Sequence, residues 1–91
     1  MSEPADARLR RLRMRAWRRG TREMDLILGP FADARLGAMM APALEAFEAV
    51  LAENDQDLYG WVTGRDTPPE PLSPILDEIA RHAFARHCPD G

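Results

Sequence analysis

Hydrophobic residues recur along the chain with the three- and four-residue spacing of amphipathic helices, in five segments separated by short polar breaks. The clearest segment has apolar residues at i, i+3, i+4 and i+7, which are Met24, Ile27, Leu28 and Phe31. No segment shows the alternating pattern that is typical of a strand. The pattern therefore predicts an all-α fold, a single small five-helix bundle that spans residues 1–91.

Residues with capping preferences mark where these helices are expected to begin. The predicted helices cover approximately residues 6–19, 21–34, 42–53, 55–63 and 73–86. The expected N-caps of four of them are Asp6, Thr21, Asp55 and Ser73. Residues 1–5 and 88–91 are expected to be flexible ends.

Glycine and proline mark the expected interruptions. Gly20 suits the C′ position after the first helix, where φ is usually positive. Gly29 and Pro30 stand inside the second apolar stripe and predict a kink, because Phe31 keeps the periodicity beyond them. Three prolines in residues 65–71 predict a loop without regular structure.

The net charge of −3 conceals a strong division along the chain. Residues 1–23 carry eight arginines and three acids, whereas residues 24–91 carry four arginines and twelve acids. Such a domain docks to a partner in a preferred orientation through electrostatic steering. The arginine-rich first helix leaves open an alternative function as a small nucleic-acid-binding or antitoxin-like regulator. The acidic total charge argues against that alternative, and we expect no nucleic-acid partner.

Several kinds of chemistry find no support in the sequence. His82, His87 and Cys88 lack the paired spacing of a zinc site, so no metal is expected. We expect no catalytic residues, because the two serines lack a neighbouring histidine and the acids at 45, 48 and 53 are spaced like a solvated helix face. No apolar run reaches the roughly 18 residues of a membrane span, so membrane insertion is not expected.

The highest local density of charge lies in residues 17–25, where three arginines, a glycine and two acids fall within nine residues. A turn between two helices requires a glycine and a cap, but not this number of charges. Arginine is common at interface hot spots because its planar fork matches carboxylates. The stretch is therefore a candidate binding surface, although Arg19 and Glu23 could instead pair with each other. Trp17 and Trp61 are expected in the core.

The stretch Arg19-Gly20-Thr21-Arg22-Glu23 resembles the RGxxE motif of the SdhE family, small factors that promote covalent flavinylation of succinate dehydrogenase. A second stretch, from Asn54 to Val62, resembles the D-x-D-L-x-x-W segment of that family. Both motifs occur in the family's order, and the resemblance covers roughly residues 8–86.

The resemblance implies a five-helix bundle and an assembly factor, not an enzyme. Such a factor binds the flavoprotein subunit of succinate dehydrogenase or fumarate reductase and promotes attachment of FAD to a histidine of that client. The client's histidine attacks the 8α-methyl group of its own FAD, and the factor aligns the two. The factor would have no cofactor of its own, would be a monomer when free, and would work in the bacterial cytoplasm.

The resemblance also implies which residues meet the client. Nine residues would contact it or support the contact: Arg18, Arg19, Gly20, Arg22, Glu23, Asp25, Asp55, Asp57 and Trp61. Arg19 and Glu23 would make charge-assisted bonds to the client, and Gly20 would let its backbone approach closely. On this interpretation, Arg19→Ala should leave folding nearly intact and abolish covalent FAD on the client.

Overall fold

The computed structural model describes residues 4–87, which form five α-helices and two short 3₁₀ turns. The helices are α1 (Ala5–Trp17), α2 (Arg22–Arg35), α3 (Ala41–Leu51), α4 (Asp55–Val62) and α5 (Ser73–His87). The 3₁₀ turns are Leu36–Ala38 and Glu70–Leu72. Residues 4–87 contain no strand, and the predicted all-α five-helix architecture is confirmed.

Helix α2 lies at the centre of a single hydrophobic core. Its buried face carries Met24, Leu28 and Phe31, each no more than 1% exposed. The Phe31 ring lies 5.7 Å from the ring of Phe47 on α3 and 5.7 Å from that of His82 on α5. The predicted apolar stripe of α2 is thus the structural centre of the bundle, because it brings three helices together.

Helices α1 and α2 approach each other closely at Gly29. A Cβ atom at Gly29 would lie 2.3–2.6 Å from ring atoms of Trp17, so only glycine fits against that ring. The Trp17 indole donates a hydrogen bond from Nε1 to Asp33 Oδ2, 3.1 Å away. Helix α2 continues through Pro30 as one element. Trp17 is 39% exposed, so its predicted place in the core is wrong.

Three predicted N-caps are wrong, and in two of them the cap lies earlier in the chain, two residues before Asp6 in α1 and one residue before Asp55 in α4. Helix α1 follows Pro4 without a side-chain cap, and Asp6 lies inside its first turn. Helix α4 is capped by Asn54, whose Oδ1 accepts a hydrogen bond from the Asp57 amide at 2.8 Å. Asn54 accepts a hydrogen bond from an amide that has no partner within the helix. Asp55 is therefore the first helical residue, and its side chain is not needed as a cap.

The proline-rich segment is more regular than predicted. Its last residues form the 3₁₀ turn Glu70–Leu72, which leads directly into α5. Ser73 therefore has helical dihedral angles (φ −58°, ψ −47°) and is not the expected N-cap. Proline is tolerated at the start of a helix because a backbone N–H in the first turn has no acceptor within the helix, so its absence costs no hydrogen bond. Of the predicted flexible ends, residues 1–3 and 88–91 lie outside the described residues, whereas Ala5 is the first residue of α1.

An ion-pair cluster joins α1 to α3. The Glu48 carboxylate accepts hydrogen bonds from Arg8 at 2.9 Å and from Arg11 at 3.2 Å. The bond from Arg8, together with that from Arg11, holds the pKa of Glu48 below its ordinary value of 4.5, although burial acts in the opposite direction. Glu48 therefore departs from the predicted solvated face, whereas Glu45 is exposed as expected.

The charged and apolar residues are distributed so that none of the helices in the described part of the chain is both long and apolar enough to cross a membrane.

Candidate functional site

The predicted binding stretch forms a sharp corner between α1 and α2. Gly20 has φ +106°, which confirms the expected positive φ, and no atom other than those of Gly20 and its two chain neighbours lies within 4 Å of where its Cβ would be. Thr21 is extended and caps α2, because its Oγ1 accepts a hydrogen bond from the Met24 amide at 3.4 Å. The predicted cap at Thr21 is confirmed. The corner is therefore defined by backbone chemistry that the sequence specifies locally.

The Arg19 side chain turns inward from this corner. Its Nε donates to Asp55 Oδ1 at 2.8 Å, one terminal nitrogen donates to the Leu51 carbonyl at 2.5 Å, and the other donates to the Glu53 carbonyl. Only 11% of the Arg19 side chain is exposed. These carbonyls lie at the end of α3, where a helix leaves acceptors unpaired and favours a cation. We call Arg19, Asp55 and the two carbonyls the arginine clasp.

Further bonds attach the corner to the clasp. The second oxygen of Asp55 accepts a hydrogen bond from Thr21 Oγ1 at 3.1 Å. The Asp25 carboxylate accepts one from the Arg19 backbone amide at 2.6 Å. The RGxxE stretch and the D-x-D-L-x-x-W stretch are therefore in direct contact, which their separation in sequence did not reveal.

Four predicted site residues lie on the exposed outside of the same corner: Arg18, Gly20, Arg22 and Glu23. We call these four residues the outer corner. Within residues 4–87, no hydrogen bond or ion pair engages the side chains of Arg18, Arg22 and Glu23. The suggested pairing of Arg19 with Glu23 is not formed, because Arg19 pairs with Asp55 instead. The outer corner thus presents both signs of charge without internal partners.

The remaining predicted residues support α4. Asp57 is exposed and exchanges two hydrogen bonds with Asn54, one of which runs from Asn54 Nδ2 to Asp57 Oδ2 at 2.8 Å. Trp61 is partly buried and packs against the hydrophobic core. Asp55 is therefore bonded to the corner directly, whereas Asp57 and Trp61 stabilise α4, the helix that carries Asp55.

A cavity of about 350 Å³ opens beside the outer corner. Its lining residues are Thr21, Glu23, Met24, Asp55, Gln56, Tyr59 and Arg65. Tyr59 and Arg65 were not among the predicted site residues. Gly60 is the feature of the sequence that could have indicated this part of the site. A Cβ atom at Gly60 would lie 2.3 Å from Asp66 Oδ2, because the loop that carries Arg65 packs closely against α4.

No three metal-binding side chains converge anywhere in the described part of the chain. Of the residues considered as metal ligands, His82 contacts Phe31 edge to face, and Cys88 lies outside the described residues.

Known proteins match this chain over most of its length. The family described as the flavinator of succinate dehydrogenase matches residues 10–83. FAD assembly factor SdhE of Acetobacter pasteurianus is 41% identical over 81 residues, which cover 88% of this chain and 74% of that protein. FAD assembly factor SdhE of Legionella pneumophila (strain Lens) is 34% identical over 71 residues, which cover 78% of this chain and 82% of that protein.

A fungal relative extends the comparison to a longer protein. Succinate dehydrogenase assembly factor 2, mitochondrial, of Penicillium rubens is 42% identical over 71 residues, which cover 76% of this chain but 23% of that protein. The family match begins in α1 and ends in α5, so it includes the arginine clasp and the outer corner. The chain therefore belongs to the family of succinate dehydrogenase flavinators, which confirms the resemblance seen in its two motifs.

Proposed function

We propose that this chain binds the flavoprotein subunit of succinate dehydrogenase and promotes the covalent attachment of FAD to it. Membership of the flavinator family supports the proposal, as do relatives named FAD assembly factor. None of the compared relatives has a name that refers to nucleic acid, so the alternative of a nucleic-acid-binding regulator is not favoured.

The inward turn of Arg19 is the structural observation that carries the proposal. Arg19 is bound to Asp55 and to two carbonyls, whereas the rest of the motif is exposed at the corner. Arg22 and Glu23 carry charges without partners in the described structure, and such groups make charge-assisted bonds across an interface. Gly20 has no side chain to hold the client backbone away. We therefore assign contact with the client to the outer corner.

The other predicted site residues take a supporting role in this proposal. Arg19 and Asp55 position the corner through the clasp, and Asp25 holds the Arg19 backbone amide. Asp57 and Trp61 stabilise α4, which carries Asp55. A preorganised surface loses less conformational entropy on binding, so the clasp increases affinity without touching the client.

The factor contributes position rather than a reacting group. In this proposal the histidine and the FAD that become joined both belong to the client, and the factor supplies neither a nucleophile nor a cofactor of its own. Holding flavin and histidine in a reactive alignment replaces a search through many conformations, which is a large kinetic advantage. The flavoprotein subunit of fumarate reductase is the alternative client in this proposal. We propose a monomer in the bacterial cytoplasm, a location that the bacterial origin of two compared relatives supports.

The test is reconstitution with a purified flavoprotein subunit that has not yet acquired covalent FAD. The subunit is incubated with FAD in the presence or absence of the factor and is then separated on a denaturing gel. Flavin fluorescence that remains with the denatured subunit measures covalent attachment. We expect the signal to form faster with the factor. Equal rates with and without the factor would refute the proposal.

A further inference from the structure

Exposed apolar side chains gather beside the outer corner. Six large hydrophobic side chains are exposed among the residues that the structure describes, and three of them border one groove: Leu26 (40%), Tyr59 (41%) and Phe84 (54%). The groove has a volume of about 260 Å³ and lies between α2, α4 and α5. Scattered exposed apolar residues are ordinary, but their convergence on one concave surface is typical of an interaction site.

The groove is continuous with the corner. Glu23 and Tyr59 line both the groove and the cavity beside the arginine clasp. A client that contacts the outer corner therefore reaches the groove without a gap. Continuity of this kind is expected of an interface in which a polar rim surrounds an apolar centre.

The chemistry of the groove specifies its occupant. Its floor is apolar, formed by Ile27, Val62 and Ala83 with the bordering side chains. Glu23 alone carries a charge among the residues that line the groove, and no described residue pairs with its carboxylate. The groove is thus complementary to an apolar side chain that has a cation beside it.

Phe84 lies on the exposed side of α5, at the border of the groove. The preceding residue, Ala83, is 5% exposed and packs inward, as does Ile79 one turn earlier. Phe84 is displaced by one position from that buried face, and the core is complete without it. An aromatic side chain in such a position supplies a large contact area at a low cost in conformational entropy.

We propose that this groove is the second half of the client-binding surface. It receives an aromatic or branched aliphatic side chain from a segment of the client flavoprotein, and an arginine or lysine of the same segment pairs with Glu23. This inference rests on the proposed function, because it takes the occupant to be the client that meets the outer corner.

The first test measures the affinity of the factor for the purified flavoprotein subunit. Phe84→Ala and Leu26→Ala should each raise the dissociation constant by about ten-fold, as expected when a contact side chain at an interface is removed. Met40→Ala is the matched control, because Met40 is 79% exposed but precedes α3, away from the groove. It should bind like the wild-type protein. Urea unfolding of all three variants separates lost binding from lost folding.

The outcomes distinguish this inference from the proposed function. Wild-type factor that neither binds the flavoprotein subunit nor accelerates flavinylation overturns both. Wild-type factor that binds, together with groove variants that bind equally well, overturns the groove alone.

The second test identifies the occupant. A photo-crosslinking phenylalanine analogue in place of Phe84 is irradiated in the complex, and the linked peptide is located by mass spectrometry. We expect a client segment with an apolar residue within a few positions of an arginine or lysine. A link only to a second copy of the factor, or to a client segment without a basic residue, would overturn the proposal.

Discussion

Arg19 and Asp55, which are 36 residues apart in the sequence, form an ion pair with 2.8 Å between Nε and Oδ1. Their side chains are only 11% and 17% exposed, and the guanidinium also satisfies two backbone carbonyls. An isolated surface pair contributes little to stability, but a shielded pair with additional hydrogen bonds is costly to break. The arginine of the RGxxE motif is therefore occupied inside the protein, and the glycine and glutamate of the motif are the residues presented outside.

The arginine clasp makes a prediction about stability. Arg19→Ala leaves the Asp55 carboxylate and two carbonyls without their donor, so unfolding free energy should fall by about 2–4 kcal/mol. Urea denaturation followed by circular dichroism measures the loss. This outcome replaces the expectation from sequence alone that folding would be nearly intact.

The matched control for the clasp is Arg22→Ala, because Arg22 belongs to the same motif but is exposed and unpaired within the described structure. Its unfolding free energy should remain within about 0.5 kcal/mol of the wild-type value. Equal stability of both variants would contradict a structural role for Arg19.

Gly20 allows a conformational effect to be separated from an effect on the client. Its φ of +106° strains any other residue, so Gly20→Ala and Gly20→Arg should each cost about 1–2 kcal/mol. Because Gly20 is exposed and no atom beyond its chain neighbours lies within 4 Å of the Cβ position, the longer side chain has room to extend away from the protein. Only the arginine variant should also prevent covalent flavinylation of the client. Thermal unfolding and the denaturing-gel fluorescence assay make the comparison, and equal flavinylation by both variants would count against close approach at Gly20.

The contact between α1 and α2 depends on the absence of a side chain at Gly29. Gly29→Ala places a methyl group in the Trp17 ring and should destabilise the protein by about 1–3 kcal/mol, with a shift in tryptophan fluorescence. Gly37→Ala is the control, because the nearest atom would be Arg13 Nη2 at 3.9 Å. A Gly29→Ala variant as stable as the Gly37→Ala variant would show that the two helices are not packed this closely.

The ion-pair cluster at Glu48 predicts a dependence of stability on pH. The bonds from Arg8 and Arg11 lower the pKa of Glu48 in the folded state. The ionised carboxylate therefore stabilises the fold above pH 4.5, and this stabilisation is lost as the pH falls through the lowered pKa. Glu48→Gln should therefore cost about 0.5–1 kcal/mol at pH 7, and the difference from wild type should shrink in acid. Urea unfolding at several pH values measures it. A difference that stays constant or grows as the pH falls below 4.5 would contradict the assignment.

The sequence predicted the elements of this fold better than it predicted their junctions. The stripe of Met24, Leu28 and Phe31 identified the central helix because burial repeats with the helical period. Asn54 and Asp55 are both residue types that commonly cap helices. In the structure Asn54 caps α4, and the Asp55 carboxylate bonds to Arg19 instead. Periodicity alone therefore does not determine which of two adjacent polar residues caps a helix.

The candidate site was only partly predictable for the same reason. Motif resemblance found both halves of the clasp, but the bond between Arg19 and Asp55 was not predicted, because spacing along the chain does not show where a long side chain points. The groove at Leu26, Tyr59 and Phe84 was not found, since its three bordering residues come from three helices. Surfaces of that kind exist only after packing has brought the helices together.

The most direct test of the central claim is the rate of covalent FAD attachment supported by Glu23→Gln. The substitution keeps the size of the side chain and removes only its charge. It should lower the unfolding free energy by no more than about 1 kcal/mol, because Glu23 has no side-chain partner within residues 4–87 and only its place in the first turn of α2 favours a negative charge. Glu45→Gln, an exposed acid on α3, is the matched control. We predict a rate at least about ten-fold lower for Glu23→Gln, the loss expected for one charged contact, and a wild-type rate for Glu45→Gln. A wild-type rate from a folded Glu23→Gln protein would contradict the claim that the outer corner binds the client.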